Sequence, residues 1–169
     1  VLRGPQGTLY GASTMGGLLK YVSTVPDVGA FAASAPAGLV NTSVGDVGYD
    51  AAVAINAPLA NDTAAIRVSG FYTHDSGFVD NLANGRDDVN ESKVYGGRAD
   101  LFVKPADQLS LRVAVFAQDI ERDGTASADF GLASGKPVDG DLDQRRLRAE
   151  PFEQEFRLAS ATLTYDFEN

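Results

Sequence analysis

Four places in this chain carry residues that could do chemistry. The first is the opening, VLRGPQGTLYGASTMGGLLKYVSTVP, with Gly4, Gly7, Gly11, Gly16 and Gly17. Glycines cradle phosphate when they are spaced Gly-x4-Gly-Lys-Ser/Thr between a strand and a helix. Gly11 and Gly16 have the first spacing, but Gly17 stands where Lys must be and Lys20 comes three residues late. The dinucleotide pattern Gly-x-Gly-x-x-Gly is absent. These glycines read better as tight turns and close backbone approaches.

The second place is acidic. Asp75, Asp80, Asp87, Asp88 and Glu91 crowd one polar stretch, and Asp119, Glu121, Asp123, Asp129, Asp139, Asp141 and Asp143 crowd another. Within it DGDLDQ, residues 139–144, alternates oxygen donors around a glycine as a Ca²⁺ loop does. The full spacing and the closing Glu of such a loop are not met, so a solvated loop is the plainer reading. The third place is DQRRLRAE, residues 143–150, with Arg145, Arg146 and Arg148. It could attract an anionic partner. Its flanking acids favour a charge-balanced loop. The fourth is His74, the sole histidine. One His excludes a multi-His metal site and leaves no triad to argue. No Ser sits in Gly-x-Ser-x-Gly. The chain is therefore read as no enzyme. No catalytic, cofactor-binding or metal-ligating residue is assigned, and its ligand-contacting residues are unknown from sequence.

The elements that must position these residues are strands. Past Pro26 the texture has period two. In TAAIRVSGFYTH, residues 63–74, Ala64, Ile66, Val68, Gly70 and Tyr72 oppose Ala65, Arg67, Ser69, Phe71 and Thr73. Residues 94–103 set Tyr95, Ala99, Leu101 and Val103 against Arg98 and Asp100. Residues 109–118 set Leu109, Leu111, Val113 and Val115 against Ser110, Arg112 and Gln118. The same alternation recurs in 49–59 and 156–167, with a weaker segment at 31–42. These make about six half-buried antiparallel strands, an all-β chain. NAPLANDTA and KPADQLS read as tight turns, whereas residues 75–92 and 119–154 read as long polar loops. Short turns at one end and long loops at the other are the asymmetry of outer-membrane barrels. Tyr49, Tyr72, Tyr95, Tyr165 and Phe167 fall near the ends of the apolar faces, where interfacial girdles sit. Good strand formers would sit there too.

Composition narrows the partners. The 169 residues carry a net charge of −9, which repels nucleic acid, and no Cys for disulfides or thiolate metal sites. No apolar run approaches the roughly 18 residues of a spanning helix. A membrane reading survives as a β-barrel. The chain starts at Val1 and is read as a fragment.

The opening strongly resembles the end of the plug domain of TonB-dependent outer-membrane receptors. The matching pieces are Leu2-Arg3-Gly4-Pro5, Leu9-Tyr10-Gly11, Gly16-Gly17 and a strand over 18–25 closed by Pro26. NAPLANDTAAIRVSGFYTHDSGFVDN is similar to the second and third barrel strands of that family. DDVNESKVYGGRADLFVKPADQLSLRVAVFAQD is similar to the fourth and fifth. The strand after Gly17 reads Leu-Leu-Lys-Tyr-Val where many members have an Ile-Asn-Ile type. The resemblance implies that residues 1–26 end a plug and residues 27–169 begin a barrel of about 22 strands with a plugged lumen. It implies active transport of a scarce ligand, most often a ferric siderophore, in the outer membrane of a Gram-negative bacterium. The implied partners are the TonB energy-transducing complex through an N-terminal box not in this sequence, the ligand, and outer-membrane lipid and lipopolysaccharide. Arg3, inside such a lumen, is expected to pair with a wall carboxylate. Two other readings compete: a soluble β-sandwich that binds carbohydrate, whose apolar faces would meet in a core, and a small outer-membrane barrel enzyme.

Overall fold

The computed structural model describes residues 2–4, 16–60, 62–139 and 142–167. Its elements in chain order are β1 (Leu2–Arg3), β2 (Gly17–Leu18), β3 (Ala32–Ser34), β4 (Ala37–Asn41), β5 (Val47–Ala60), β6 (Ala64–Asp75), β7 (Asp80–Asn81), β8 (Ser92–Ala106), β9 (Leu109–Arg122), β10 (Asp143–Gln144) and β11 (Phe152–Tyr165). There is no helix among the described residues. The long strands form one antiparallel sheet in the order β11-β9-β8-β6-β5-β3, with β4 also on β5. The sheet thus has six strand positions, as alternation predicts. The weak first segment is split: β3 and β4 lie end to end on β5, interrupted at Pro36, whose carbonyl accepts the Ala52 amide.

Register gives the sheet its two faces. Ile55, Val68, Ala99, Val115 and Ala159 are neighbours across the ladders, and below them lie Ala57, Ile66, Leu101, Val113 and Ala161. On the opposite face Asn56, Arg67, Asp100, Ala114 and Ser160 share one row. The first face is apolar and uncovered, with Val68 48% and Val115 50% exposed. The second carries the buried residues of the sheet, Asn56, Ala65, Asp100 and Ala114. A soluble sandwich would press a second sheet onto the apolar face. The described residues form a single layer there, so the sandwich arrangement is not seen.

Two prolines end strands without disturbing this pattern. The register shifts between Pro58 and Ala60, and again between Val103 and Ala106, across Pro105. Proline cannot donate to a ladder and is accommodated at such irregularities. Both shifts sit beside a tight turn, so the band between them stays in register. Asp62, in the first turn, has a φ of 55°, a left-handed conformation that Asp tolerates. Inside the sheet Gly96 is required on the inner face. A Cβ there would press on the Phe71 ring and the Ala117 carbonyl.

Aromatic residues mark both ends of the outer face. Tyr49, Tyr72 and Tyr95 stack in a row on the outer face, with centroids 5.8 and 6.5 Å apart. Tyr165 and Phe167 meet edge to face at 4.8 Å at the other end. From Tyr95 to Val103 the strand rises about 26 Å at ~3.3 Å per residue, or about 20 Å along the normal at a tilt of ~40°. That approaches the ~25 Å apolar band of a barrel. Above the tyrosines the outer face turns charged: Lys93 pairs with Glu91 at 2.8 Å, and Arg157 reaches up to Asp119 at 2.8 Å.

Val113 lies mid-band on the outer face and Ser160 on the inner face. In a bilayer Val113→Arg is expected to cost about 2–4 kcal/mol of folding stability. Ser160→Arg is expected to cost much less. Urea titration of the two variants folded into lipid vesicles checks this, and equal losses would remove the assignment of faces.

Candidate functional site

The inner face is polar because alternation puts Arg67, Arg98, Asp100 and Arg112 on one side of three adjacent strands. Asp100 is 1% exposed, and register sets Arg98 and Arg112 close enough to serve it. Arg98 donates to its Oδ2 at 2.9 Å. Arg112 donates Nε to Oδ1 at 2.9 Å and a terminal nitrogen to Oδ2 at 2.5 Å. Both carboxylate oxygens are thereby engaged. Removing one partner of a buried pair costs about 3–5 kcal/mol. The guanidiniums here are about a quarter exposed, which moves the cost towards the lower end.

Arg112 has a second task. Its outer nitrogen also donates to Ser23 Oγ at 3.0 Å and to the carbonyls of Ser23 and Thr24 at 3.4 and 3.2 Å. Three strand positions along, Asn56 does the equivalent. Its Oδ1 accepts the Asp27 amide at 2.9 Å, and its Nδ2 donates to the carbonyls of Asp27 and Ala30 at 2.9 and 2.7 Å. Residues 23–30 are therefore a strap laid across the inner face from β9 to β5. Three strand spacings are about 14 Å, and the four steps from Ser23 to Asp27 span about 14 Å when extended. Within this run Pro26 is buried. The expected strand over 18–25 is thus corrected. Only Gly17–Leu18 pairs as a strand, with Leu2–Arg3, and of the following residues Ser23 and Thr24 are held by the Arg112 side chain of the wall. Residues 19–22 make no hydrogen bond among the described residues, and Tyr21 is 87% exposed.

The long loops close the other end. β7 and β10 pair in parallel, one from each loop. Asn81 donates Nδ2 to the Arg146 carbonyl at 2.9 Å and accepts the Arg146 amide at 3.1 Å. Asn90 Oδ1 accepts the amides of Phe78 and Val79 at 2.8 and 2.9 Å. Asn81, Asn90 and Gln144 are buried amides that sequence reading passed over, because Asn and Gln in a polar stretch look like ordinary turn residues. The residues that reading did single out are occupied locally. Arg145 grips Asp139 at 2.6 and 2.7 Å, and Arg146 lies 3.5 Å from Asp129. That is the charge-balanced reading of DQRRLRAE. The Ca²⁺-like stretch falls partly on residues 140–141, which lie outside the described residues, and Asp139 is already engaged. Gly7 and Gly11 of the opening also lie outside them. No group of three or more His, Cys, Asp or Glu able to hold a metal occurs among the described residues. His74 packs on Tyr49 at 4.8 Å, with Nδ1 3.6 Å from Glu91, a structural place at the rim of the aromatic row.

No family model and no solved structure matches the chain. Among curated proteins it is similar to the pesticin receptors of Yersinia enterocolitica and Yersinia pestis, at 32% identity over 109 residues. The match covers 64% of this chain, and the chain spans only about 15% of the length of those relatives. The similarity supports the coarse class of TonB-dependent outer-membrane receptors, and the protein is located in the outer membrane of a Gram-negative bacterium.

Two outcomes follow. Asn56→Leu leaves the Asp27 amide without its acceptor, at a cost of about 1–3 kcal/mol. Exchange of that amide is expected to quicken about tenfold or more while the β5–β6 ladder stays protected, and unchanged exchange would dissolve the strap. The second concerns pH. Hydrogen bonds from Arg145 hold the Asp139 carboxyl below its ordinary value, against the opposing effect of burial. Its stabilisation is present above the unfolded value of about 3.9 and lost as pH falls through the lower folded value. Asp88 is the reverse: burial, then Asp46, Asp80, Asp87 and Glu91, push its carboxyl up. Its stabilisation is present below the ordinary value and fades as pH rises through the folded one. Protection of the amides around Asp139 and Arg145, measured against their intrinsic exchange, is therefore expected to fall below about pH 4, an effect that Arg145→Gln should abolish.

Proposed function

We propose that the chain is the plug-to-wall portion of a receptor that carries a scarce ligand across the outer membrane with energy from TonB. Residues 1–26 end the plug, and residues 27–169 form the first strands of the barrel wall. The observation that carries this reading is the two-faced single sheet. One face is an apolar band between aromatic rows, suited to lipid. The other is polar and crossed by a strap, suited to a filled lumen. The long loops, tied together by buried amides, would form part of the extracellular mouth where ligand first binds. Energised rearrangement of the plug then opens the path, and no covalent chemistry is involved. The acids and arginines of the loops meet lipopolysaccharide at the outer rim.

By name the Yersinia relatives receive pesticin. For this chain a ferric siderophore is the ligand of choice, carried over from the resemblance of its plug motif.

Deleting the gene should abolish uptake of ⁵⁵Fe-labelled siderophore under iron limitation, and restoring it should recover uptake only in a strain with intact TonB. Uptake that is indifferent to the gene, or to TonB, would overturn the transport reading.

A further inference from the structure

One group on the inner face is used neither by the strap nor by the sheet. Arg67 stands opposite Asp100 in the ladder, yet both Asp100 oxygens are taken by Arg98 and Arg112. The Arg67 guanidinium makes no hydrogen bond or ion pair among the described residues, and the residue is half-buried. Three guanidiniums thus surround one carboxylate, an excess of two positive charges on a partly desolvated wall. Such charges are costly unless an anion meets them.

There is room for one. Arg67 and Arg98, with Asp100 and the residues Ser23, Thr24 and Ser69, line a cavity of about 190 Å³ between the wall and the strap. At about 30 Å³ per water that is space for about six waters, which suits a small molecule better than the tip of one side chain. Its donors are of one kind. Arg67 has its whole fork unspent, Arg98 has spent one bond on Asp100, and the three hydroxyls can donate as well. A planar fork of N–H groups matches the paired oxygens of a carboxylate or phosphate. A cation would be repelled, and a neutral sugar would leave the charge excess unmet.

We propose that this cavity is a wall subsite for a small carboxylate- or phosphate-bearing anion, gripped by Arg67 and Arg98 and roofed by the strap. Ser23 and Thr24 reach it while Arg112 and Asn56 together hold the strap down. Anion binding and strap docking therefore strengthen each other. The site rests on the transport reading for its place on the path of the cargo, which it makes anionic. Its capacity to bind rests on the geometry alone.

The probe is phenylglyoxal, which modifies guanidinium groups, applied to the full receptor in outer-membrane vesicles with Arg67 followed by mass spectrometry. Citrate or pyrophosphate at about ten times its dissociation constant should slow Arg67 modification about tenfold. Glucose, or NaCl at matched ionic strength, should not. Asn56→Leu, which loosens the strap, should weaken the protection without changing the reactivity of loop Arg148. Arg67 that reacts equally with and without these anions overturns the site. So does Arg67 that is unreactive before any anion is added, since the receptor's own polypeptide would then fill the cavity. Protection in a receptor that takes up no ferric siderophore would leave the site standing and remove only the transport reading. Uptake without protection would do the opposite.

Discussion

A single sheet has two faces and no second layer to bury either of them. Everything else in this chain follows from that constraint. With side chains alternating at period two, register alone decides which residues face lipid and which face the lumen. A slip of one residue on β8 would carry Arg98 and Asp100 to the outer face and Leu101 to the inner one. The fold guards against this by confining its irregularities to the turn ends, where Pro58 and Pro105 sit. Between the two aromatic rows the ladders of β6, β8 and β9 run without a shift.

The strands were legible because alternation is a local signal that repeats. The same signal placed Arg67, Arg98, Asp100 and Arg112 on one face. It could not say that Asp100 would take two arginines and leave the third, because that depends on how three strands align. The strap was misread for a related reason. Residues 18–25 are rich in strand formers, and the family pattern places a strand there. Ser23 and Thr24 turned out to be held by a guanidinium 89 and 88 residues away, and Asp27 just after them by an amide on β5, which no window of sequence connects. The first wall strand was weak in sequence and broken in structure for one cause, Pro36. Loop order was illegible altogether, since a buried Asn81 and an exposed Asn84 look alike until the second loop is in place.

Net charge misled in a different way. The value of −9 describes the whole chain and excludes nucleic acid fairly, but the acids are concentrated in the loops. The inner face around Asp100 has the opposite sign. An acidic rim above a basic interior is a field that changes sign with depth.

The strap also imposes an order of assembly. Neighbouring wall strands are joined at one end by turns of two or three residues, so those ladders close small loops. Seating Ser23 on Arg112 instead closes nearly ninety residues, and its receptor groups do not exist until β8 and β9 have aligned. Loop-closure entropy and topology both put that contact late. The wall is therefore its own template, finished before the segment that precedes it in the chain can find its seat. In a refolding time course, amide protection in residues 23–30 that trails protection in β9 is the sign of it, and simultaneous protection would speak against it.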